Sequence, residues 1–151
     1  MSTAVVLMVV GVPSAAAATY TYASSSAPQY VSGYGSTART YGKWDITKPS
    51  STTVRSKLVS TSYRYTDGDN HTVYAVLYTE VSGGFPATNG STSSSHDNVV
   101  SSSWTSFRSL PNHTVSATTA IRSATGNIRS CLDVPFRTDP CSSFKSPSIS
   151  Y

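Results

Sequence analysis

The sequence has little charge, and what it has is thinly spread. Only 12% of its 151 residues are charged, Glu80 is the only glutamate, and the formal net charge at pH 7 is +4. The basic residues are scattered along the chain, whereas nucleic-acid binding usually collects them in a block. A small positive surplus supports solubility and a weak attraction to acidic surfaces. We therefore expect no nucleic-acid partner.

Long apolar runs are also missing, apart from one near the start. Residues 3–18 read TAVVLMVVGVPSAAAA. The run is shorter than the roughly 20 apolar residues of a membrane-spanning helix, and its small residues offer an Ala-x-Ala cleavage site. This pattern predicts a signal peptide over residues 1–18, a secreted protein, and no stable membrane insertion. The basic residues that usually precede such a run are absent, and a buried hydrophobic strand is the alternative.

Cysteine is scarce, and its use fits export. The chain has 2 cysteines, Cys131 and Cys141. In an exported protein an even pair close in sequence is most simply a disulfide. The spacing is not Cys-x-x-Cys and no second ligand pair exists, which disfavours a redox or metal role. We predict a bridge that stabilises the C-terminal segment by about 2–3 kcal/mol.

Catalytic motifs are missing too. The sequence contains neither a Gly-x-Ser-x-Gly nor a His-Glu-x-x-His segment. His71, His96 and His113 each stand beside Asn or Asp, which suggests solvated loops. The Asp-Gly-Asp-Asn segment at residues 67–70 lacks the downstream acidic ligand of an EF-hand and is typical of a turn. We therefore predict no catalytic residue, no metal site and no cofactor.

The residues that do recur are those of β-structure. Ser, Thr, Val and Tyr are abundant, and no helical period is evident. Alternation and turn residues predict strands at residues 54–65, 72–81, 104–110, 115–121 and 128–134, turns at 66–70, 111–112 and 126–127, and a flexible loop at 82–95. The second strand is apolar on both faces and should be central. The fold class is all-β, a small antiparallel β-sandwich over residues 43–151.

Residues 19–42 have a different composition. This stretch holds spaced tyrosines among Ser, Gly and Ala, with hardly any aliphatic residue. Gly and Ser supply flexibility, whereas tyrosines supply contact area at low entropic cost. The composition predicts an extended N-terminal segment that becomes ordered on a partner. The alternative is an edge strand of the domain's own sheet.

The last third of the chain carries a resemblance. Trp-Thr-Ser-Phe at residues 104–107 and IRSCLDVPFRTDPCSS at residues 128–143, together with the leader and the tyrosine-rich start, resemble small secreted bacterial proteins that include the adaptor subunits of umbrella toxin particles. The likeness covers roughly the last forty residues and the general layout. It implies a non-enzymatic adaptor in bacterial antagonism, which joins a lectin-bearing subunit to the stalk of a repeat-containing toxin.

The resemblance also implies where the partner contacts lie. Adaptors of this kind use the extended N-terminal segment as one contact, so the docking residues here would be Tyr20, Tyr22, Tyr30, Val31 and Tyr34. Two other classes of function remain open. A secreted protease inhibitor would present the disulfide loop, residues 132–137, to its target. A small cell-wall or carbohydrate-active enzyme is favoured only by export and exposed aromatic residues.

Overall fold

Two antiparallel sheets make up the parts of the chain that the structure describes. The computed structural model describes residues 16–67, 71–82, 90–96 and 103–151. The strands are β1 (Ala16–Ala23), β2 (Gln29–Gly33), β3 (Ser36–Ser50), β4 (Thr53–Asp67), β5 (Thr72–Ser82), β6 (Gly90–His96), β7 (Thr105–Ser106), β8 (Asn112–Ser116), β9 (Ser123–Asp133) and β10 (Ser148–Ser150). The first sheet has six strands (β1, β2, β3, β4, β7 and β8), and the second has four in the order β10-β9-β5-β6. The predicted all-β antiparallel fold is confirmed.

Strand β3 organises the six-stranded sheet. One of its edges pairs with β2 near its start and with β1 further along, whereas its other edge pairs with β4 over most of its length. β7 and β8 then pair with different parts of β4. None of the described residues forms a helix of the length and apolar character that crossing a membrane requires.

The core lies between the two sheets because their strands alternate inward and outward. Along β3 the inward residues Ala38, Trp44 and Ile46 are buried, whereas Lys43 on the other face is exposed. This period of two is that of a strand with one wet face. The second sheet contributes further fully buried side chains, namely Val73, Leu77, Ile128 and Leu132. The prediction that residues 72–81 form a central strand is confirmed, since β5 lies between β9 and β6.

Trp44 fills the centre of this core. It is 0% exposed, and its indole Nε1 donates a hydrogen bond to Ser56 Oγ at 2.6 Å. Thr79 Oγ1 from the opposite sheet donates to the same oxygen at 2.8 Å. A Cβ added to Gly126 would lie 2.5 Å from Trp44 Cε2. The polar end of the indole is therefore satisfied, and its ring occupies the space that glycine leaves free.

The structure corrects the expectation that residues 19–42 stand apart from the domain. The boundary after Gly42 falls inside β3, and β1 and β2 both pair with that strand. Gln29 fixes the segment to the second sheet, because its side-chain Nε2 donates to Ile128 O at 3.0 Å and its Oε1 accepts from Ser130 Oγ at 3.2 Å. A single buried glutamine thus supplies inter-sheet contact that aliphatic residues usually provide.

The predicted leader overlaps the first strand. Ala16, Ala17 and Ala18 open β1, where they pair with Lys48, Thr47 and Ile46. Residues 1–15 lie outside the described residues, so cleavage after Ala18 stays a prediction.

Three local predictions differ from the structure. Gly126 and Asn127 lie within β9 rather than in a turn, because the glycine accommodates Trp44. Residues 90–95, predicted as loop, belong to β6, whose main chain pairs with β5. The predicted hairpin of residues 104–121 is replaced by the short β7 and by β8, which both pair with β4. Local composition carries none of these long-range pairings. Residues 68–70 of the predicted turn and 83–89 of the predicted loop lie outside the described residues.

We predict that Gly126→Ala lowers the free energy of unfolding by about 1–3 kcal/mol, because the new methyl group overpacks a rigid buried ring. The control is Thr125→Ala, at a neighbouring position that is not fully buried. Chemical denaturation followed by tryptophan fluorescence measures both. An alanine variant as stable as the parent would mean that Trp44 does not pack against β9.

Candidate functional site

A two-residue turn presents Tyr34 at one end of the sandwich. Gly33 pairs with Ser36, so only Tyr34 and Gly35 connect β2 to β3. Their φ angles are 50° and 82°, and a tight hairpin of this kind needs positive φ at both positions. Asn or Gly usually takes the first position. Here a tyrosine takes it, and 47% of its surface is exposed.

The disulfide loop lies beside this turn. Cys131 and Cys141 are bridged, with their Cα atoms 4.1 Å apart, and the predicted pairing is confirmed. The amide of Leu132 donates to Pro140 O at 3.0 Å, which continues the pairing beyond the bridge. Both ends of the loop are therefore held close together where it leaves β9.

Asp139 anchors the inside of the loop. Its Oδ1 accepts the amide of Val134 at 3.0 Å, and its Oδ2 accepts the hydroxyl of Tyr74 on β5 at 2.6 Å. Burial, together with this carboxylate, raises the pKa of Tyr74 above its usual value, so the hydroxyl stays a donor. The amide of Arg137 donates to Val134 O at 3.2 Å and closes a turn over residues 134–137.

Phe136 stands at the tip of that turn, fully in solvent. Its relative exposure is 107% and its φ is 61°. Left-handed backbone is rare for a residue with a bulky side chain and costs roughly 1–2 kcal/mol. The unfavourable backbone conformation of Phe136 therefore does not serve to bury its side chain in the core.

The turn and the loop meet to form one surface. A Cβ on Gly33 would lie 2.6 Å from Pro140 Cγ, so the hairpin packs closely on the loop. The guanidinium carbon of Arg137 lies 4.9 Å from the centre of the Tyr34 ring, a cation–π distance. We call Tyr34, Phe136 and Arg137 the aromatic tip.

The five predicted docking residues do not share a surface. Tyr22 and Val31 are 7% and 2% exposed and belong to the core, because both lie on inward positions of strands. Tyr20 is partly buried, with its ring 5.6 Å from that of Trp44. The prediction that Tyr22 and Val31 contact a partner at the surface is therefore wrong, because both side chains are buried.

The remaining predicted docking residues, Tyr30 and Tyr34, reach solvent at 54% and 47% exposure. Phe136 and Arg137, which form the tip together with Tyr34, were predicted from the sequence only as part of a possible protease-inhibitor loop. The Gly-Tyr-Gly turn and the Cys-bounded loop lie about a hundred residues apart in the sequence, so no local signal connects them.

The inhibitor loop is smaller than predicted. Leu132 and Val134 are 0% and 5% exposed and pack in the core, whereas Pro135, Phe136 and Arg137 are exposed. The exposed part is a tight turn. A protease-binding loop needs an extended stretch that fits a substrate groove, whereas this turn exposes four consecutive residues, 135–138.

The histidines are not gathered into a site. His113 lies half-buried in β8 rather than in a solvated loop, and His96 lies in β6. The main-chain oxygen of His71 accepts the hydroxyl of Tyr65 at 2.9 Å. Within the described ranges, no three side chains of the metal-ligating types come together.

We predict that replacing both cysteines by alanine lowers the free energy of unfolding by about 3 kcal/mol, since the open loop regains conformational freedom when unfolded. Reduction of the parent protein should produce a loss of similar size, which serves as the control. Urea denaturation of the oxidised, reduced and substituted proteins gives the three values. Equal stability of all three would contradict this role of the bridge.

We also predict that stability falls as the pH drops below about 6.5. Burial lowers the pKa of His113 below the usual histidine value of about 6.5, so the unfolded chain binds a proton more readily than the folded one and acid favours unfolding. His113→Gln should flatten the change in denaturation midpoint between pH 7.5 and pH 5. His71→Gln is the control, and an unchanged slope in His113→Gln would contradict the effect.

Comparison of the chain with family models, with curated proteins and with solved structures finds no match in any of the three.

Proposed function

We propose that this protein is a secreted, non-enzymatic binding protein that acts as an adaptor between other secreted proteins. One of its contacts is the aromatic tip, and the second is on the sandwich itself. A disulfide is compatible with an oxidising, extracellular setting.

The observation that carries the proposal is Phe136. A phenylalanine that is fully exposed and also held at φ 61° does nothing for folding, because it buries no surface and its backbone is strained. Both features make sense if the ring is buried by a partner. Tyr34 repeats the combination, with φ 50° and 47% exposure.

The tip is also rigid before any partner arrives. The disulfide, the Asp139 hydrogen bonds and the close packing of Gly33 on Pro140 hold its backbone. A preformed surface loses little entropy on association. Tyrosine and arginine are enriched among interface residues that dominate affinity, and aromatic residues in general are enriched at interfaces.

The adaptor role comes from the resemblance to umbrella toxin adaptors. On that basis the partners would be a lectin-bearing subunit and a repeat-containing toxin stalk. Tyr30 is the second predicted docking residue that reaches solvent, on the outward side of β2, at 54% exposure. It gives the N-terminal segment a surface residue away from the turn.

One alternative keeps support from a specific observation. A secreted protease inhibitor would present Phe136 and Arg137, which are exposed on the braced loop. Titration of secreted serine proteases with the purified protein distinguishes the two, because an inhibitor abolishes peptide hydrolysis at equimolar ratio and an adaptor leaves it unchanged.

We predict that Tyr34→Asn combined with Phe136→Gly weakens partner binding by at least about 30-fold, as expected for loss of about 2 kcal/mol at interface hot spots. Asn and Gly both tolerate positive φ. The fold should therefore keep its stability or gain up to about 1 kcal/mol from relief of strain.

The matched control is Phe144→Ser, which removes another exposed aromatic ring, at 45% exposure, outside the tip. Affinity for proteins that co-purify with the native chain from culture medium is compared with thermal unfolding of each variant. Deleting residues 19–42 would not be a suitable test of binding, because it would remove β2 and parts of β1 and β3 from the sheet. Undiminished binding by the double variant would exclude the tip as a contact.

A further inference from the structure

A groove lined by polar residues together with Ala17, Ala18 and Ile46 crosses the outer face of the six-stranded sheet, away from the aromatic tip. Its volume is about 520 Å³, and it lies where β1, β3, β4 and β8 run side by side. This size is within the range of sites for small ligands. The groove begins at Asp45, nine residues beyond the start of β3 at Ser36, which corresponds to about 30 Å along the strand.

The strand register arranges the groove side chains in two rows. Thr19 lies opposite Asp45, Asp45 opposite Lys57, and Lys57 opposite Asn112. The adjacent row on the same face places Thr47 opposite Arg55 and Arg55 opposite Thr114. Directly opposed residues on one face of a sheet have Cβ atoms about 5 Å apart, so these groups converge on one shallow site.

Hydrogen bonding inside the groove fixes its carboxylate. Thr19 Oγ1 donates to Asp45 Oδ1 at 2.6 Å, and Lys57 Nζ lies 4.0 Å from Asp45 Oδ2. Arg55 has no ion pair among the described residues. Two cations against one carboxylate leave a surplus of one positive charge, and the lowered pKa of His113 keeps that side chain from adding another at pH 7.

These groups together specify a class of ligand. Hydroxyl, amide and carboxylate groups exchange hydrogen bonds with a polyhydroxy compound, while the stems of Arg55 and Lys57 offer apolar contact to its C–H faces. The guanidinium of Arg55 is suited to a carboxylate or a phosphate, which it can bind through two parallel hydrogen bonds. We propose that the groove binds a short saccharide that carries an anionic group.

Ala17 and Ala18 also line the groove and would be lost on cleavage after Ala18, whereas the named polar side chains all follow residue 18. A chain cleaved after Ala18, as the leader predicts, keeps them and places its new α-amino group at Thr19, beside Asp45. That charge would increase the preference for an anionic sugar.

The test is isothermal titration of the full folded protein with four compounds. They are a trimer of galacturonic acid, a singly phosphorylated maltotriose, the neutral galactose trimer and citrate. One of the two anionic trimers should bind saturably at one site, at least tenfold more tightly than the neutral trimer, and citrate should not saturate. The two anionic trimers distinguish carboxylate from phosphate. Failure of both to bind overturns the proposal.

Two pairs of variants separate a built site from general attraction. Arg55→Gln should weaken binding at least tenfold, whereas Arg122→Gln removes the same charge at an exposed position outside the groove and should leave it unchanged. Thr114→Val should weaken binding severalfold without changing charge, with Thr66→Val as its control. Equal losses in both arginine variants, or no effect of Thr114→Val, would reduce the interaction to nonspecific charge attraction and overturn the proposal. Thermal unfolding confirms that each variant is folded.

Discussion

The burial of Trp44 is the constraint on which the sandwich depends. Its ring is 0% exposed, its indole nitrogen donates to Ser56, and its face requires a glycine at position 126 of the opposite sheet. Strand β3 carries this residue, and the same strand pairs with β1, β2 and β4. Fixing Trp44 in the core therefore fixes β3, and β3 in turn fixes the position of the tyrosine-rich segment at one end and the groove at the other.

The local sequence pattern was sufficient to predict those elements whose structure depends mainly on residues close in sequence. The apolar residues on both faces of residues 72–81 predicted the central β5, and the even number and close spacing of Cys131 and Cys141 predicted their bridge. The local pattern gave wrong predictions where a contact with residues distant in the sequence determines the structure. Gly126 was predicted to lie in a turn, because its contact with Trp44 cannot be read from the local sequence. Gln29 was predicted to lie in an extended N-terminal segment, because its hydrogen bonds to the second sheet cannot be read from the local sequence. For the candidate site, Tyr34 was predicted as a docking residue from the resemblance, but its association with Arg137 depends on the hairpin meeting the disulfide loop.

Building the N-terminal segment into the sheet changes how the protein can bind. A free tail would offer all its tyrosines to a partner, whereas this fold buries Tyr22 and Val31 and leaves Tyr34 exposed on a tight turn. On the proposed function, recognition would be carried by preformed turns, at low entropic cost. The strained backbone of Phe136 lies in a loop that the disulfide and Asp139 brace, and backbone strain persists only where the surrounding structure supports it. The groove about 30 Å along β3 gives the molecule a second surface of different chemistry.

Amide hydrogen exchange of the native protein tests most directly whether the segment is part of the sandwich. Residues 37–40 of β3 lie between β2 and β4, so their hydrogen-bonded amides should exchange as slowly as those of the central β5, which open only with global unfolding. The exposed turn at Tyr34 and Gly35 should exchange quickly within the same molecule. Rapid exchange throughout residues 19–42, at the rate of an unstructured peptide while β5 stays protected, would contradict a built-in segment and restore the free tail.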